Sequence, residues 1–158
     1  MNQSTGTARN TLATVRAVLD EKRDMPGALL PILHDIQDQL GYVPSEAVAD
    51  IAEALNLSRA EVHGVITYYH HFRTEAPKGA VVQVCRAEAC QSCGSEALWE
   101  HASKKTAGQA VTLESVYCLG LCATAPSLSI NDQPYARVSH AKFDKLLAQL
   151  QSCQKEAA

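Results

Sequence analysis

Ala80-Val81-Val82-Gln83-Val84-Cys85-Arg86-Ala87-Glu88-Ala89-Cys90 and, further on, Val111-Thr112-Leu113-Glu114-Ser115-Val116-Tyr117-Cys118-Leu119-Gly120-Leu121-Cys122 decide how this chain is read. The first is a short apolar strand, Ala80 to Val84, that runs directly into Cys85. In the second, Val111, Leu113 and Ser115 alternate with Thr112, Glu114 and Val116, a period of two that ends at Tyr117-Cys118. Each strand thus delivers a pair of cysteines, Cys85-x4-Cys90 and Cys118-x3-Cys122, into the segment after it. Two loops leaving the same edge of a sheet can converge on one ligand, and such loops are where function usually sits.

Around these two stretches the rest of the C-terminal half falls into place. Gly94 to Ala107 reads as a helix with Leu98, Trp99 and Ala102 on one side. Leu128 and Ile130 belong to a strand turned at Asn131-Asp132, and Tyr135 to Val138 completes a hairpin, Pro134 suiting its start or a sheet edge. Phe143, Leu146, Leu147 and Leu150 form a last helical stripe behind Ser139 as cap. The order, β-α-β-β-β-α, is that of a thioredoxin-like fold, a four-stranded sheet covered by helices.

Before Pro77 the period is helical. Leu12, Val15, Val18 and Leu19 make one stripe, ended by the Met25-Pro26-Gly27 break. Leu29, Leu33, Ile36 and Leu40 make a second, stopped by Gly41 as a left-handed C-cap. Ser45 is expected to cap a third helix bearing Val48, Ile51 and Leu55. Ser58-Arg59-Ala60-Glu61 is a capping box opening a fourth through Val62, Val65, Ile66 and Tyr69. Residues 1–75 hold six Lys/Arg against ten Asp/Glu.

Composition narrows the classes of function. A chain of 158 residues with formal net charge −3 gives no basic face for nucleic acid. No apolar run approaches the ~20 residues that span a bilayer, and Met1 to Asn10 lacks the apolar core of a signal peptide. A cytoplasmic location is expected, with no membrane insertion. Five of the six cysteines lie between positions 85 and 122, Cys153 standing apart as an ordinary thiol. In a reducing compartment, clustered cysteines more often bind metal or do redox work than form disulfides.

Thiolates are soft ligands that suit iron–sulfur clusters, zinc and Cu(I). Four of them can hold a tetrahedral zinc or a [2Fe–2S] rhombus. The four- and three-residue gaps are wider than usual zinc knuckles and favour the cluster, with Cys85, Cys90, Cys118 and Cys122 as ligands. Three rivals stand beside this reading: a zinc-stabilised scaffold, a plant-type ligand set, and thiol redox chemistry. Cys85-x4-Cys90-x2-Cys93 matches the opening of plant-type ferredoxins, with Cys122 as distant fourth ligand and Cys118 spare. Cys90-Gln91-Ser92-Cys93 is a C-x-x-C ahead of a helix. The repeated strand-then-pair arrangement uses Cys118 and Cys122 together and makes Cys93 a non-ligand.

Other residues take plainer readings. His70 and His71, as neighbours on a helix, point about 100° apart and make a poor chelate. His34, His63 and His101 are scattered surface or packing residues, while Tyr68, Tyr69, Phe72 and Trp99 serve core or interface packing. No G-x-G-x-x-G or P-loop is present, and nothing suggests a flavin, nicotinamide or molybdenum site in this chain. A chain with a cluster and no substrate site is an electron carrier.

Further motifs carry a resemblance over about residues 20 to 150: His34-Asp35-Ile36-Gln37, Gly41-Tyr42-Val43-Pro44, Glu61 through Tyr69 (Glu-Val-His-Gly-Val-Ile-Thr-Tyr-Tyr), and Tyr117-Cys118-Leu119-Gly120-Leu121-Cys122. The chain resembles the thioredoxin-like [2Fe–2S] subunit of the NADH-oxidising module of respiratory complex I and its relatives. That resemblance implies Cys85, Cys90, Cys118 and Cys122 as cluster ligands. Its architecture is then α+β: an N-terminal small helical bundle over 1–75, acting as a subunit-docking region, followed by a thioredoxin-like [2Fe–2S] ferredoxin domain over 76–158.

Within the family, Pro26 through His34, Cys85 through Ser92 and Tyr69-His70-His71-Phe72 look like the gamma subunit of soluble NAD-dependent formate dehydrogenases. The equivalent subunits of complex I and of NAD-reducing hydrogenases are the competing branches. The resemblance implies two partners, a flavoprotein subunit binding FMN and NAD and a large formate-oxidising subunit. FMN, NAD and the molybdenum cofactor are expected only in those partners. The cluster subunit is itself non-catalytic, exchanging single electrons with the flavin. Arg86, inside the first ligand segment, is a candidate tuner of cluster potential, the alternative being an ordinary salt bridge.

Overall fold

The computed structural model describes residues 4–156, with side chains described over 10–152. The leader reading of Met1 to Asn10 therefore lies largely outside the described residues, as does the Cys153 side chain. The chain divides into two compact units, Met1–Ala76 and Pro77–Ala158.

The first unit holds α1 (Ser4–Lys22), α2 (Leu29–Leu40), α3 (Ala47–Leu55) and α4 (Arg59–Tyr68). Val15, Val18 and Leu19 of α1 meet Ile32, Leu33 and Ile36 of α2 and Ile51 and Val62 of the following pair in one apolar core. Gly41 ends α2 with φ 83°, its N–H donating to the Gln37 carbonyl, a left-handed turn that glycine adopts without steric cost. The Gln37 amide also ties down the chain beyond α4, donating from Nε2 to the His71 carbonyl and accepting at Oε1 from Arg73 N–H. Ser58 and Glu61 form the expected capping box of α4. Ser45 does not cap α3: Glu46 occupies that position without a side-chain bond, and the Ser45 hydroxyl donates to the Glu46 carboxylate instead.

The second unit is a four-stranded sheet in the order β2-β1-β3-β4. It comprises β1 (Ala80–Cys85), β2 (Val111–Val116), β3 (Leu128–Ile130) and β4 (Gln133–Tyr135). α5 (Glu88–Ser92) and α6 (Ser95–Thr106) lie between β1 and β2, and α7 (His140–Glu156) follows β4. β1 and β2 run parallel with Val84 opposite Ser115 and Cys85 opposite Val116, while β3 and β4 pair antiparallel. Val82, Val84, Leu128 and Ile130 pack with Leu98 and Ala102 of α6 and Phe143 and Leu147 of α7. Gln83 links β1 to both neighbours, donating to Glu114 Oε2 and accepting from the Ser129 hydroxyl. None of the described helices is long and apolar enough to cross a membrane.

Beyond the cap of α3, the structure corrects three further expectations. The segment between the first two cysteines is partly helical, since α5 carries Cys90; five residues are too few for helical periodicity to show. The hairpin uses Gln133–Tyr135, not Tyr135 to Val138. Asn131 and Asp132 supply the positive φ angles of a two-residue turn. Arg137 and Val138 then donate to the carbonyls of Thr124 and Pro126 rather than extending the ladder. His70 and His71 follow α4 rather than lying on it; His71 packs against His34 and Phe72.

Candidate metal centre

Cys85 is the last residue of β1, and Cys118 stands two residues beyond Val116, the partner of Cys85 on β2. Because the strands are parallel neighbours, both cysteines come to the same end of the sheet. A backbone bond from Cys85 N–H to the Ser127 carbonyl and another from Arg86 N–H to the Val116 carbonyl hold that end closed. Cys90 follows on α5, and Cys122 opens a 3-10 turn, Cys122–Thr124.

The two pairs differ in environment. Cys85 and Cys90 are 2% and 1% exposed, whereas Cys118 and Cys122 lie at the surface. Cys90 Sγ is 3.5 Å from the buried Ser127 hydroxyl, which can donate to it. Cys118 has φ 130°, a backbone conformation that costs a non-glycine residue about 1–3 kcal/mol and persists only where its surroundings impose it. Its Sγ stands 3.7 Å from Cys122 Sγ and accepts from Gly120 N–H at 3.3 Å. Two thiolates on one tetrahedral metal, with bonds of about 2.3 Å, stand about 3.8 Å apart, so this pair has the spacing of two ligands on one metal atom. The Cys122 thiol is held above the ordinary range, first by its bond to Cys118, then by the Cys118 charge and by desolvation. Cys90 and Cys85 charges push the same way, so all four sulfurs share one electrostatic neighbourhood.

The donor set fits a cluster in its chemistry: four thiols, soft ligands, brought from two segments to one end of a sheet. Among the described residues no three His, Cys, Asp or Glu side chains close around a point as a one-ion site would. A two-iron centre requires less convergence, with two thiolates on each iron. Cys93, the C-cap of α5, is exposed. It lines a separate cavity of about 550 Å³ with Leu98, Pro126, Arg137 and His140.

The matching family model covers residues 15–151 and describes a thioredoxin-like [2Fe–2S] ferredoxin. This chain belongs to that family. It is 30% identical to NADH-quinone oxidoreductase subunit 2 of Thermus thermophilus, over 79% of this chain and 74% of the relative. Identity is also 30% to an NADH-quinone oxidoreductase subunit of Rhizobium meliloti, over 84% of this chain and 83% of the relative. The NADP-reducing hydrogenase subunit HndA of Solidesulfovibrio fructosivorans is again 30% identical, over 78% and 77%. Among solved structures, the air-oxidised NAD+-reducing [NiFe]-hydrogenase matches with a TM-score of 0.65 and 28% identity. That match takes in 83% of this chain but only 24% of the hydrogenase chain.

Sequence reading missed Glu96, Trp99 and Ser127 as neighbours of the site. Arg86 makes two bonds to Glu96, Nε to Oε1 at 2.9 Å and Nη2 to Oε2 at 2.7 Å. Its guanidinium lies 4.9 Å from the centre of the Trp99 ring. The Glu96 carboxylate raises the guanidinium's affinity for its proton, and Arg86 lowers that of Glu96. Arg86 is therefore salt-bridged. No pattern in the sequence announces a partner ten residues away on the next helix but one.

Proposed function

We propose that the chain is an electron-transfer subunit holding one [2Fe–2S] cluster on Cys85, Cys90, Cys118 and Cys122, within a multisubunit NAD-linked oxidoreductase. The observation that carries this reading is the parallel β1–β2 pairing, which brings Cys85 and Cys118 to one sheet end. When bound, the cluster supplies a one-electron redox couple. The chain's own part is to hold it: the Gly120 N–H and the Ser127 hydroxyl face ligand sulfurs, and donors to sulfur raise a cluster's potential. The relatives are named as subunits of NADH- and NADP-linked oxidoreductases, and the sequence resemblance adds a flavoprotein partner that binds FMN and NAD and exchanges single electrons with this subunit. The helical unit is assigned to docking on that partner, where Tyr68 offers a 76% exposed ring.

Within this class, the Pro26–His34, Cys85–Ser92 and Tyr69–Phe72 motifs point to an NAD-dependent formate dehydrogenase, with a large molybdenum-cofactor subunit oxidising formate. The relatives named above favour the equivalent subunit of complex I or a hydrogenase as second reading. Both are tested by isolating the native complex through a tag on this chain. A flavoprotein subunit should co-purify. Reduction of the isolated complex by formate, with a rhombic EPR signal from two irons in this chain, supports the first; reduction by hydrogen or a quinone-linked activity selects the second. A colourless chain with one zinc would remove both.

A further inference from the structure

The charges flanking the candidate ligands are unevenly distributed. From Ser115 to Asn131 the chain carries no Asp, Glu, Lys or Arg, so the segment bearing Cys118 and Cys122 has no fixed charge of its own. Between Cys85 and Cys90 stand Arg86 and Glu88. Arg86 has a backbone fixed by its bond to Val116 O and a side chain fixed by α6. Two-pronged guanidinium–carboxylate bonding holds planar groups in one geometry, and a ring beneath the guanidinium removes further freedom. Arg86, the residue after Cys85, thus carries a cation held in one place against α6, with an anion attached to it.

We propose that Glu96 and Trp99 clamp Arg86, the residue that follows Cys85, and that the Arg86 charge, partly offset by Glu96, sets the potential of the cluster. This rests on the ligand set proposed above. An oxidised cluster with four thiolates carries −2 and gains a further negative charge on reduction, so a nearby cation favours the reduced form and a nearby anion opposes it. Arg86 and Glu96 therefore act in opposite directions, and the potential reflects their difference. Arg86 and Glu96 are positioning residues, since neither belongs to the proposed ligand set.

The test is an EPR-followed redox titration of the full chain with four variants. Arg86→Ala should lower the midpoint potential and Glu96→Gln should raise it. The Arg86→Ala/Glu96→Gln double variant should return close to wild type. Each single change is expected to alter the oxidised-to-reduced ratio at fixed poise by about threefold to tenfold, tenfold being about 59 mV for one electron. Arg86→Lys keeps the charge and should lie nearer wild type than Arg86→Ala. Equal shifts in Arg86→Lys and Arg86→Ala, shifts of one sign in both neutralising variants, or no shift with the cluster intact would each overturn the charge role. Loss of the cluster from both neutralising variants would assign the pair to assembly instead and overturn it too. Wild-type protein without a two-iron centre would remove the ligand assignment, and this inference with it.

Discussion

At the scale of single residues, Cys118 and Cys93 separate the possible ligand sets. Cys118 holds an unfavourable backbone angle while its sulfur stands 3.7 Å from Cys122, and Cys93 faces another cavity. Cys118→Ser is expected to lose the two-iron EPR signal and most of the bound iron, whereas Cys93→Ser keeps both. Iron and sulfide analysis of the purified variants checks this, and the reverse pattern would favour the plant-type set. The cysteines are visible in the sequence because spacing is a one-dimensional property. Glu96 and Ser127 are not, since they reach Arg86 and Cys90 across separations of 10 and 37 residues that only the fold closes. The φ of Cys118 is likewise invisible, because cysteine has no preference for that region.

At the scale of elements, local signals were legible where the chain satisfies its own backbone. The Ser58–Glu61 box, the Gly41 terminus and the Ser139 cap of α7 all follow from residues within a turn of one another. The end of β4 was not, because Arg137 and Val138 bond to the second ligand segment, a tertiary choice that propensity does not encode. Ser58→Ala removes the hydroxyl that accepts from Glu61 N–H at 3.2 Å and leaves the Ser58 N–H bond to the Glu61 carboxylate. It should destabilise the protein by about 1 kcal/mol in urea unfolding near neutral pH. Glu61's carboxyl is held low, chiefly by that backbone bond and then by the hydroxyl. A depressed carboxyl contributes stability above its unfolded value and loses it as pH falls through the folded one. The Ser58→Ala penalty should therefore shrink below about pH 4, where the unfolded carboxyl also protonates.

At the scale of the whole molecule, each unit has its own apolar core, Val15 through Phe72 in one and Val82 through Leu147 in the other. All four candidate ligands belong to the second. Residues 77–158 expressed alone should fold and carry the two irons, as judged by circular dichroism and metal content. Residues 1–76 should be helical and colourless. An unfolded 77–158 fragment would show that the cluster unit depends on its neighbour. The change from a period of 3.6 to one of 2 near Pro77 is what makes two architectures visible in one chain.

The unequal exposure of the two cysteine pairs also bears on how the protein is made. Of the proposed ligands, Cys118 and Cys122 are reached from the surface, whereas Cys85 and Cys90 are closed off at 2% and 1% exposure. If these four residues hold the cluster, the outer pair would be open to an incoming iron, and the interior pair would have to be reached before the second unit closes over it. Maturation would in this sense be partly a folding step: iron and sulfide supplied during refolding should give more bound iron than the same reagents added to the folded chain, as metal analysis would read.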